Sequence, residues 1–271
     1  MLTDSQIESW LAEDVGHHDV TNDVGGDTDG RLVAKEAGVA AGLDAASAVF
    51  DYLGVDAETV VAAGETVDPG ETILRTEGPA RETLRGERPA VNVAAHASGI
   101  ATKTRRAVEN ARAVDDEVTV AGTRKTTPGL RGIEKRAVVA GGGDTHRLDL
   151  SHMVMVKDNH VAEMGLERAI RHFRAEASFA TKVEVEVESP DDAVRAAEAG
   201  ADIVLLDNMS PEETARAVEL LDAADPDALA EASGGIGVDD VADYAATGVD
   251  IVSMGSLTHS AASLDLSFRT G

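Results

Sequence analysis

The residue types best suited to chemistry lie in one cationic segment, residues 123–160. It contains the runs T-R-K-T-T-P-G-L-R, H-R-L-D-L-S-H and K-D-N-H. Its cationic side chains are Arg124, Lys125, Arg131, Lys135, Arg136, Arg147 and Lys157. Arginine matches a carboxylate or phosphate in bidentate geometry, and lysine adds a compact charge. In a chain of formal net charge -26, this segment predicts a site for a small, multiply negative ligand.

The composition limits the class of protein. A chain of 271 residues, 43% of them hydrophobic, suffices for one large domain or two modest ones. The absence of cysteine excludes disulfides, thiolate metal sites and a cysteine nucleophile. The acid excess argues against binding nucleic acid or an anionic membrane through a basic face. We expect a cytoplasmic protein, because the sequence shows neither a signal-peptide pattern nor an apolar run near the ~20 residues that span a bilayer.

The N-terminal part reads as an α+β module. A helix is predicted from Thr3 to about Asp14 and another at 43–53. Strands are predicted at residues 32–35, 60–63 and 72–76, because short apolar runs alternate there with Gly, Asp and Pro. A long helix follows at 80–114, and we expect it to be interrupted or kinked near Pro89 and Gly99.

The pattern of apolar residues changes after residue 114. Apolar runs recur at residues 118–121, 153–156, 183–187, 203–206, 229–232 and 251–254. Amphipathic helices fill most of the gaps, for example at 162–175, 190–199 and 211–223. Apolar runs separated by helices predict a parallel sheet covered on both sides. Six strands favour a barrel or part-barrel, and a doubly wound open sheet is the alternative.

Polar residues follow these predicted strands at the point where each one ends. They are Thr123-Arg124-Lys125, Lys157-Asp158-Asn159, Glu186 with Glu188, Asp207-Asn208, Ser233-Gly234-Gly235 and Gly255-Ser256. The carboxyl ends of parallel strands share one face, which carries the active site in such folds. We therefore expect these residues to converge on one pocket.

Two kinds of ligand are expected in that pocket. The run Ser233-Gly234-Gly235-Ile236-Gly237 and the following Gly255-Ser256 predict a phosphate cradle at the start of a helix. Glu186 and Asp207 end neighbouring strands, so they predict Mg²⁺ shared with a phosphorylated substrate, or ion pairs with Lys125 or Lys157.

The cations exceed what one phosphate group requires. Arg124, Lys125, Arg147 and Lys157 lie in the segment with His146, and their number predicts a second anionic ligand, a carboxylate. His146 could transfer a proton or donate a hydrogen bond to the substrate.

Over nearly its full length the sequence resembles the decarboxylating quinolinate phosphoribosyltransferases. The resemblance rests on E-D-V-G-H-H-D-V-T, E-R-P-A-V-N, S-G-I-A-T, T-R-K-T-T-P-G-L-R, H-R-L-D-L, K-D-N-H, E-V-E-V, L-L-D-N, S-G-G-I and G-S-L-T-H-S. It implies an α/β protein with an N-terminal α/β sandwich domain and an incomplete, open α/β barrel of parallel strands. The sandwich with its long linking helix would span 1–114 and the barrel 115–256, and the tail 257–271 would pack back on the sandwich. The implied reaction joins quinolinate to phosphoribosyl pyrophosphate with decarboxylation.

The resemblance also implies roles for individual residues. Quinolinate would be bound by Arg88, Thr123, Arg124, Lys125, His146, Arg147 and Lys157. Phosphoribosyl pyrophosphate would be bound by Glu186, Asp207, Ser233, Gly234, Gly235, Met254, Gly255 and Ser256. Glu186 and Asp207 would hold Mg²⁺, and together with Lys125 they would be the catalytic residues. Arg88 would reach into the neighbouring subunit's site, which implies a homodimer or a dimer-based oligomer.

The sequence leaves three alternative functions open. A relative of the same fold could use nicotinate, although one carboxylate fewer would leave part of the arginine cluster unpaired. A barrel aldolase could use Lys157 to form a Schiff base. A regulatory module could bind phosphorylated metabolites without turnover, although paired acids at Glu186 and Asp207 disfavour it.

The acid excess predicts a protein adapted to high salt. There are 50 Asp and Glu residues against 24 Lys and Arg, and molar salt screens such repulsion over a few ångströms. We expect the melting temperature to rise as KCl is increased to molar concentration, measured by thermal unfolding. A melting temperature that stays level would contradict this prediction.

Overall fold

The structure, a computed structural model, describes residues 2–224 and 227–271. Met1, with which the predicted sandwich domain begins, lies outside the described residues, as do residues 225–226. The chain forms two compact units. Unit 1 comprises Met1–Arg105, Thr127–Gly142 and Ser260–Gly271, and unit 2 comprises Arg106–Thr126 and Gly143–His259. The domain prediction, with bounds 1–114 and 115–256, is about segments that fold independently. It stays a prediction.

The elements follow one another along the chain from α1 to β12. In order they are α1 (Asp4–Val15), β1 (Asp27–Ala34), β2 (Gly38–Val39), α2 (Leu43–Tyr52), β3 (Asp56–Thr59), β4 (Thr66–Val67), β5 (Thr72–Pro79), α3 (Ala80–Arg112), β6 (Thr119–Ala121), α4 (Arg131–Ala140), β7 (Val154–Val156), α5 (Asp158–Met164), α6 (Leu166–Glu176), β8 (Val183–Val187), α7 (Pro190–Glu198), β9 (Ile203–Asp207), α8 (Pro211–Ala224), β10 (Leu229–Ser233), α9 (Val241–Ala245), β11 (Ile251–Ser253), α10 (Ser256–His259) and β12 (Leu266–Thr270). Among residues 2–224 and 227–271, no helix combines the length and apolar character needed to cross a bilayer.

Unit 1 is built on an antiparallel sheet. Its four strands lie in the order β12-β1-β5-β3, and β2 pairs with β4 in a separate ladder. The fully buried Phe50 of α2 stacks on Phe268 of β12 with ring centroids 5.4 Å apart. Gly30 of β1 makes room for that ring, since a Cβ there would lie 2.4 Å from it. The last strand of the chain therefore completes the core of the first unit.

A buried carboxylate anchors the part of the T-R-K-T-T-P-G-L-R run that belongs to unit 1, which begins at Thr127. Glu134 of α4 is fully buried, and its Oε1 lies 2.8 Å from Nε2 of His96. Its Oε2 accepts a 3.1 Å hydrogen bond from the backbone N–H of Thr127. Burial raises the pKa of Glu134, but the hydrogen bonds from His96 and Thr127 outweigh it and leave that pKa below its usual value. Glu134 thus holds the end of the cationic loop in place.

Two predictions for this part of the chain are wrong, the strand at 60–63 and the interruption of the long helix. A kink in that helix stays a prediction. The strand expected at 60–63 lies instead at β3. Because β3 is the edge strand and pairs only with β5, its residues can be polar. Val60, on which the prediction relied, is exposed. Helix α3 is uninterrupted through Pro89 and Gly99. Its buried face, with Ala94, Ile100 and Ala101 at 0% exposure, provides packing that outweighs the local cost of proline and glycine.

Unit 2 contains a parallel sheet in the order β6-β11-β10-β9-β8-β7. The six strands neighbour one another in chain order except that β6 pairs with β11, which joins the first strand to the last. This order is that of a barrel left open between β6 and β7, and the fold-class prediction is confirmed. The doubly wound alternative is wrong. The helix predicted at 162–175 is present as α6, but its predicted start is wrong, because Gly165, at φ 78°, separates α5 from α6.

The close approach of α3 to the C-terminal tail gives a stability prediction. A Cβ on Gly99 would lie 1.9 Å from the carbonyl oxygen of Ala262. We expect Gly99→Ala to lower the free energy of unfolding by about 1–3 kcal/mol through overpacking, measured by denaturant unfolding.

The matched control is Gly132→Ala in α4. A Cβ there would meet nothing nearer than Arg136 Nη1 at 3.9 Å. It should stabilise the protein by about 0.4–1 kcal/mol, since alanine restricts the unfolded chain. Equal effects of the two substitutions would contradict the packing argument.

Candidate active site

The carboxyl ends of the unit 2 strands bring the predicted residues together. Lys125 and Thr123 follow β6 and lie against Gly255 after β11. A Cβ on Gly255 would be 2.8 Å from Lys125 Cδ and 3.3 Å from Thr123 Oγ1. Thr258 Oγ1 donates a 2.6 Å hydrogen bond to the Lys125 carbonyl oxygen. The cationic loop and the last glycine loop therefore share one place in the structure.

Two carboxylates and two lysines meet at the ends of β8 and β9. Lys157 Nζ lies 2.5 Å from Glu186 Oε2. Burial raises the pKa of Asp207, and the negative charge of Glu186 raises it further, while Lys157 and Lys125 offset part of that rise. The predicted pairing of Glu186 with Lys157 is thus present. The two carboxylates are close enough to repel each other.

Two guanidinium groups also lie close together. Arg147 is only 7% exposed. Burial lowers its pKa, and the positive charge of Arg124 lowers it further. Arg147 Nε donates a hydrogen bond to the Asp149 carbonyl oxygen at 3.2 Å. In the part of the chain that the structure describes, no carboxylate lies within ion-pair distance of Arg124. This pair of cations suits an anionic ligand.

Beneath these groups lies a buried cluster of His146, Glu184 and Glu231. His146 Nε2 is 3.0 Å from Glu231 Oε2 and 3.5 Å from Glu184 Oε2. Both glutamates are 0% exposed, and neither oxygen of Glu184 has a hydrogen-bond partner. Burial raises the pKa of Glu184 to about 8, with a further contribution from Glu231. Glu184 is therefore protonated at neutral pH.

Sequence reasoning missed Glu184 and Glu231. A signal existed, because each acid lies between two apolar residues of a strand that is largely buried on both faces. Glu184 also lies two residues before Glu186 and so shares its face of the strand. With His146, these acids offer three ligand atoms within 4.8 Å of one another. A buried set with one imidazole suits a transition metal better than Mg²⁺, which prefers oxygen ligands and retains waters.

The first of the predicted phosphate loops contains two glycines in conformations that other residues rarely adopt. Gly234 and Gly235 have φ values of 102° and 66°. A Cβ on Gly234 would lie 2.4 Å from Asn208 Oδ1, whereas nothing lies within 4 Å of one on Gly235. Ser256 Oγ donates to the Ile236 carbonyl oxygen at 3.3 Å and links the two loops.

Two details of these loops differ from expectation. No helix opens directly after the run 233–237, because turns intervene and α9 begins only at Val241. A phosphate here would meet loop amides and not a helix terminus. The Met254 side chain is 1% exposed and its N–H donates to the Ala121 carbonyl oxygen at 2.8 Å. That amide is already committed to the β6 segment.

Arg88 belongs to unit 1. It lies on α3, its side chain is 61% exposed, and its guanidinium is 3.6 Å from the Glu87 carboxylate. It is not among the residues that unit 2 brings together.

Comparison with known proteins decides the family. Residues 19–98 match the family described as "Quinolinate phosphoribosyl transferase, N-terminal domain", and residues 100–269 match its C-terminal domain. The chain belongs to the quinolinate phosphoribosyl transferase family.

Several members of this family are similar over almost the whole chain. The "Probable nicotinate-nucleotide pyrophosphorylase [carboxylating]" of Methanothermobacter thermautotrophicus is 47% identical over 97% of each chain. The human nicotinate-nucleotide pyrophosphorylase [carboxylating] is 43% identical over 97% of this chain and 90% of its own. The crystal structure of NadC from Streptococcus pyogenes has a TM-score of 0.90 and 41% identity, and the match covers 99% of this chain and 97% of that one.

The buried Glu184 gives a pH prediction. Its pKa is raised in the folded protein from 4.5 to about 8, so unfolding releases its proton. The stability associated with it is fully present below about pH 4.5 and is lost as the pH rises through about 8. Glu184→Gln cannot ionise. Between about pH 5 and 8 we expect the wild type to lose more free energy of unfolding than the variant does, by an amount on the order of a few kcal/mol.

Denaturant unfolding across this pH range measures the difference. Glu58→Gln, at an exposed position of β3, is the control and should follow the wild type. Parallel pH profiles for the wild type and Glu184→Gln would show that Glu184 is not protonated in the folded state.

Proposed function

We propose that the protein transfers the phosphoribosyl group of phosphoribosyl pyrophosphate to quinolinate with decarboxylation. The products are nicotinate mononucleotide, pyrophosphate and CO₂, a step of NAD biosynthesis. The observation that carries the proposal is that Lys125, Lys157, Glu186 and Asp207 meet beside an open glycine loop within unit 2. The names of the relatives, which describe the same reaction in the reverse direction, support it.

Quinolinate binds, in this proposal, through its two carboxylates. Thr123, Arg124, Lys125, His146, Arg147 and Lys157 are the proposed contacts. Burial lowers the pKa of Arg147 and the positive charge of Arg124 lowers it further, so a dianion would relieve the repulsion between the two groups. A ligand with one carboxylate would leave part of this charge unpaired, which favours quinolinate over nicotinate.

Phosphoribosyl pyrophosphate binds at the opposite side of the same basin. We assign its phosphates to the backbone of Ser233, Gly234, Gly235, Gly255 and Ser256. Met254, whose amide is hydrogen-bonded to Ala121, would support the second loop without binding a phosphate itself. Glu186 and Asp207 would hold Mg²⁺. The fit is good because burial and then the charge of Glu186 raise the pKa of Asp207, and a cation would offset that repulsion. When bound, the ion would neutralise charge on the pyrophosphate.

The reaction needs no protein nucleophile. The pyridine nitrogen bonds to the ribose C1 while the C1–O bond breaks and pyrophosphate leaves with the electron pair. Glu186 and Asp207 offset positive charge on the sugar, and Lys125 and Lys157 orient the anionic partners. The quaternary nitrogen then stabilises the electron pair left on C2 as CO₂ departs, and a proton takes the place of CO₂ on C2.

The geometry disfavours the aldolase alternative. A Schiff-base lysine must be an uncharged amine, whereas Lys157 forms a short ion pair with Glu186. We further propose a homodimer or dimer-based oligomer in which Arg88 completes the partner's quinolinate site, supported by the 61% exposure of its side chain. The cytoplasmic location stays a prediction.

The direct test incubates the protein with quinolinate and phosphoribosyl pyrophosphate, with and without Mg²⁺. We expect stoichiometric release of CO₂ and pyrophosphate that requires Mg²⁺. Borohydride trapping of a carbonyl substrate on Lys157, without such release, would support an aldolase. Binding of both substrates without product would support a regulatory module.

In the same assay Arg147→Ala tests the carboxylate clamp. Loss of a buried, charge-assisted contact should raise KM for quinolinate about 10–100-fold. Arg216→Ala, at an exposed position of α8, is the control and should leave KM unchanged. Wild-type turnover of Arg147→Ala at low quinolinate would show that the clamp is assigned wrongly.

A further inference from the structure

We infer that Glu231 is a positioning residue for this reaction, which acts by fixing the His146 ring beneath the quinolinate site. The inference rests on the proposed function, since His146 is a proposed substrate contact. Glu231 lies on β10, between Leu205 of β9 and Ile251 of β11 in the strand register. Its side chain is 0% exposed, so it acts on the substrate only through what it touches.

The contact with His146 defines the state of the imidazole. Glu231 Oε2 lies 3.0 Å from Nε2 of His146, so this ring nitrogen is engaged by Glu231. In the arrangement that we infer, Nε2 carries the proton and donates it to the carboxylate, which can only accept. With Nε2 committed, the rotation of the ring is fixed, and so is the direction of Nδ1. The same arrangement orients histidines that bind metals, where a carboxylate behind the ring sets the tautomer.

The backbone of His146 is fixed as well. Its φ of 51° places it in the left-handed region, which is uncommon for any residue other than glycine. Asp144 Oδ1 accepts a 2.6 Å hydrogen bond from the His146 N–H and holds that conformation. A strained backbone and a hydrogen-bonded ring together leave the side chain one orientation, as a preorganised site requires.

Glu231 is a poor choice on grounds of stability alone. Its Oε1 has no hydrogen-bond partner, and the neighbouring Glu184 is an acid that is also fully buried. Burying a carboxylate costs free energy, and an apolar side chain of the same size is often more stable. A destabilising acid directly behind a proposed substrate ligand indicates a role in the reaction.

A double-mutant cycle between positions 231 and 146 tests the inference. Glu231→Met removes the acceptor and the charge at similar volume. We expect it to raise KM for quinolinate about tenfold or more, with KM for phosphoribosyl pyrophosphate unchanged and the melting temperature equal or higher. Glu231→Gln keeps an acceptor oxygen and should recover part of the loss.

The second arm of the cycle uses His146→Asn, because asparagine tolerates a positive φ. In that background we expect Glu231→Met and Glu231→Gln to change KM for quinolinate by less than about twofold, because the residue through which Glu231 acts is gone. The same fold-change in both backgrounds would overturn the inference, and so would an equal rise in KM for phosphoribosyl pyrophosphate. If Glu231→Met fails to fold, the Glu231→Gln cycle decides.

Two further measurements isolate the inference. Glu219→Gln changes an exposed acid of α8 outside the site, so its KM for quinolinate should stay within about twofold of the wild type. A rise equal to that of Glu231→Gln would refute a specific role for Glu231. Wild-type turnover is measured first. Its absence would refute the proposed function, whereas turnover without coupling in the cycle would refute only the role of Glu231.

Discussion

Repulsion between like charges in a confined space is the constraint on which unit 2 depends. The charge of Arg124 acts on Arg147 in this way, and the charge of Glu186 acts on Asp207. At the third place, burial and the neighbouring Glu231 raise the pKa of Glu184, which favours its uncharged form. The fold offsets part of this repulsion internally, through the Lys157–Glu186 ion pair and the hydrogen bond between His146 and Glu231. A dianion at the arginines and a cation at Glu186 and Asp207 would offset the rest. The charges of the site are therefore incompletely balanced by the protein itself. Ligands of opposite charge would complete that balance.

The barrel supplies this arrangement through its strand order. Parallel strands place their carboxyl ends on one face, and the β6–β11 pairing brings the cationic loop after β6 onto the glycine loop after β11. Residues more than a hundred positions apart thus become neighbours. The opening between β6 and β7 leaves the segment with His146 and Arg147 outside the strands. A left-handed backbone and a hydrogen bond to Asp144 fix His146 there.

In unit 1 a buried acid, Glu134, fixes the backbone of Thr127. Glu134 uses one carboxylate oxygen for His96 and the other for the Thr127 backbone, so it is buried and fully engaged. This contrasts with Glu184, which is equally buried but lacks hydrogen-bond partners. The pKa values of the two groups shift in opposite directions for that reason. Burial alone does not determine the state of an acid. Its hydrogen-bond partners do.

The sequence by itself determined the six parallel strands, the polar residues at their ends and the family, because apolar periodicity and motif spacing are local properties of the chain. It could not determine the edge strand β3, the uninterrupted α3 or the break at Gly165, where tertiary packing and backbone conformation override local preference. Only the tertiary structure placed Glu184 and Glu231 against His146. Alternation along β8 and β10 shows which face each acid occupies, but which acids meet is set by the register of strands distant in sequence.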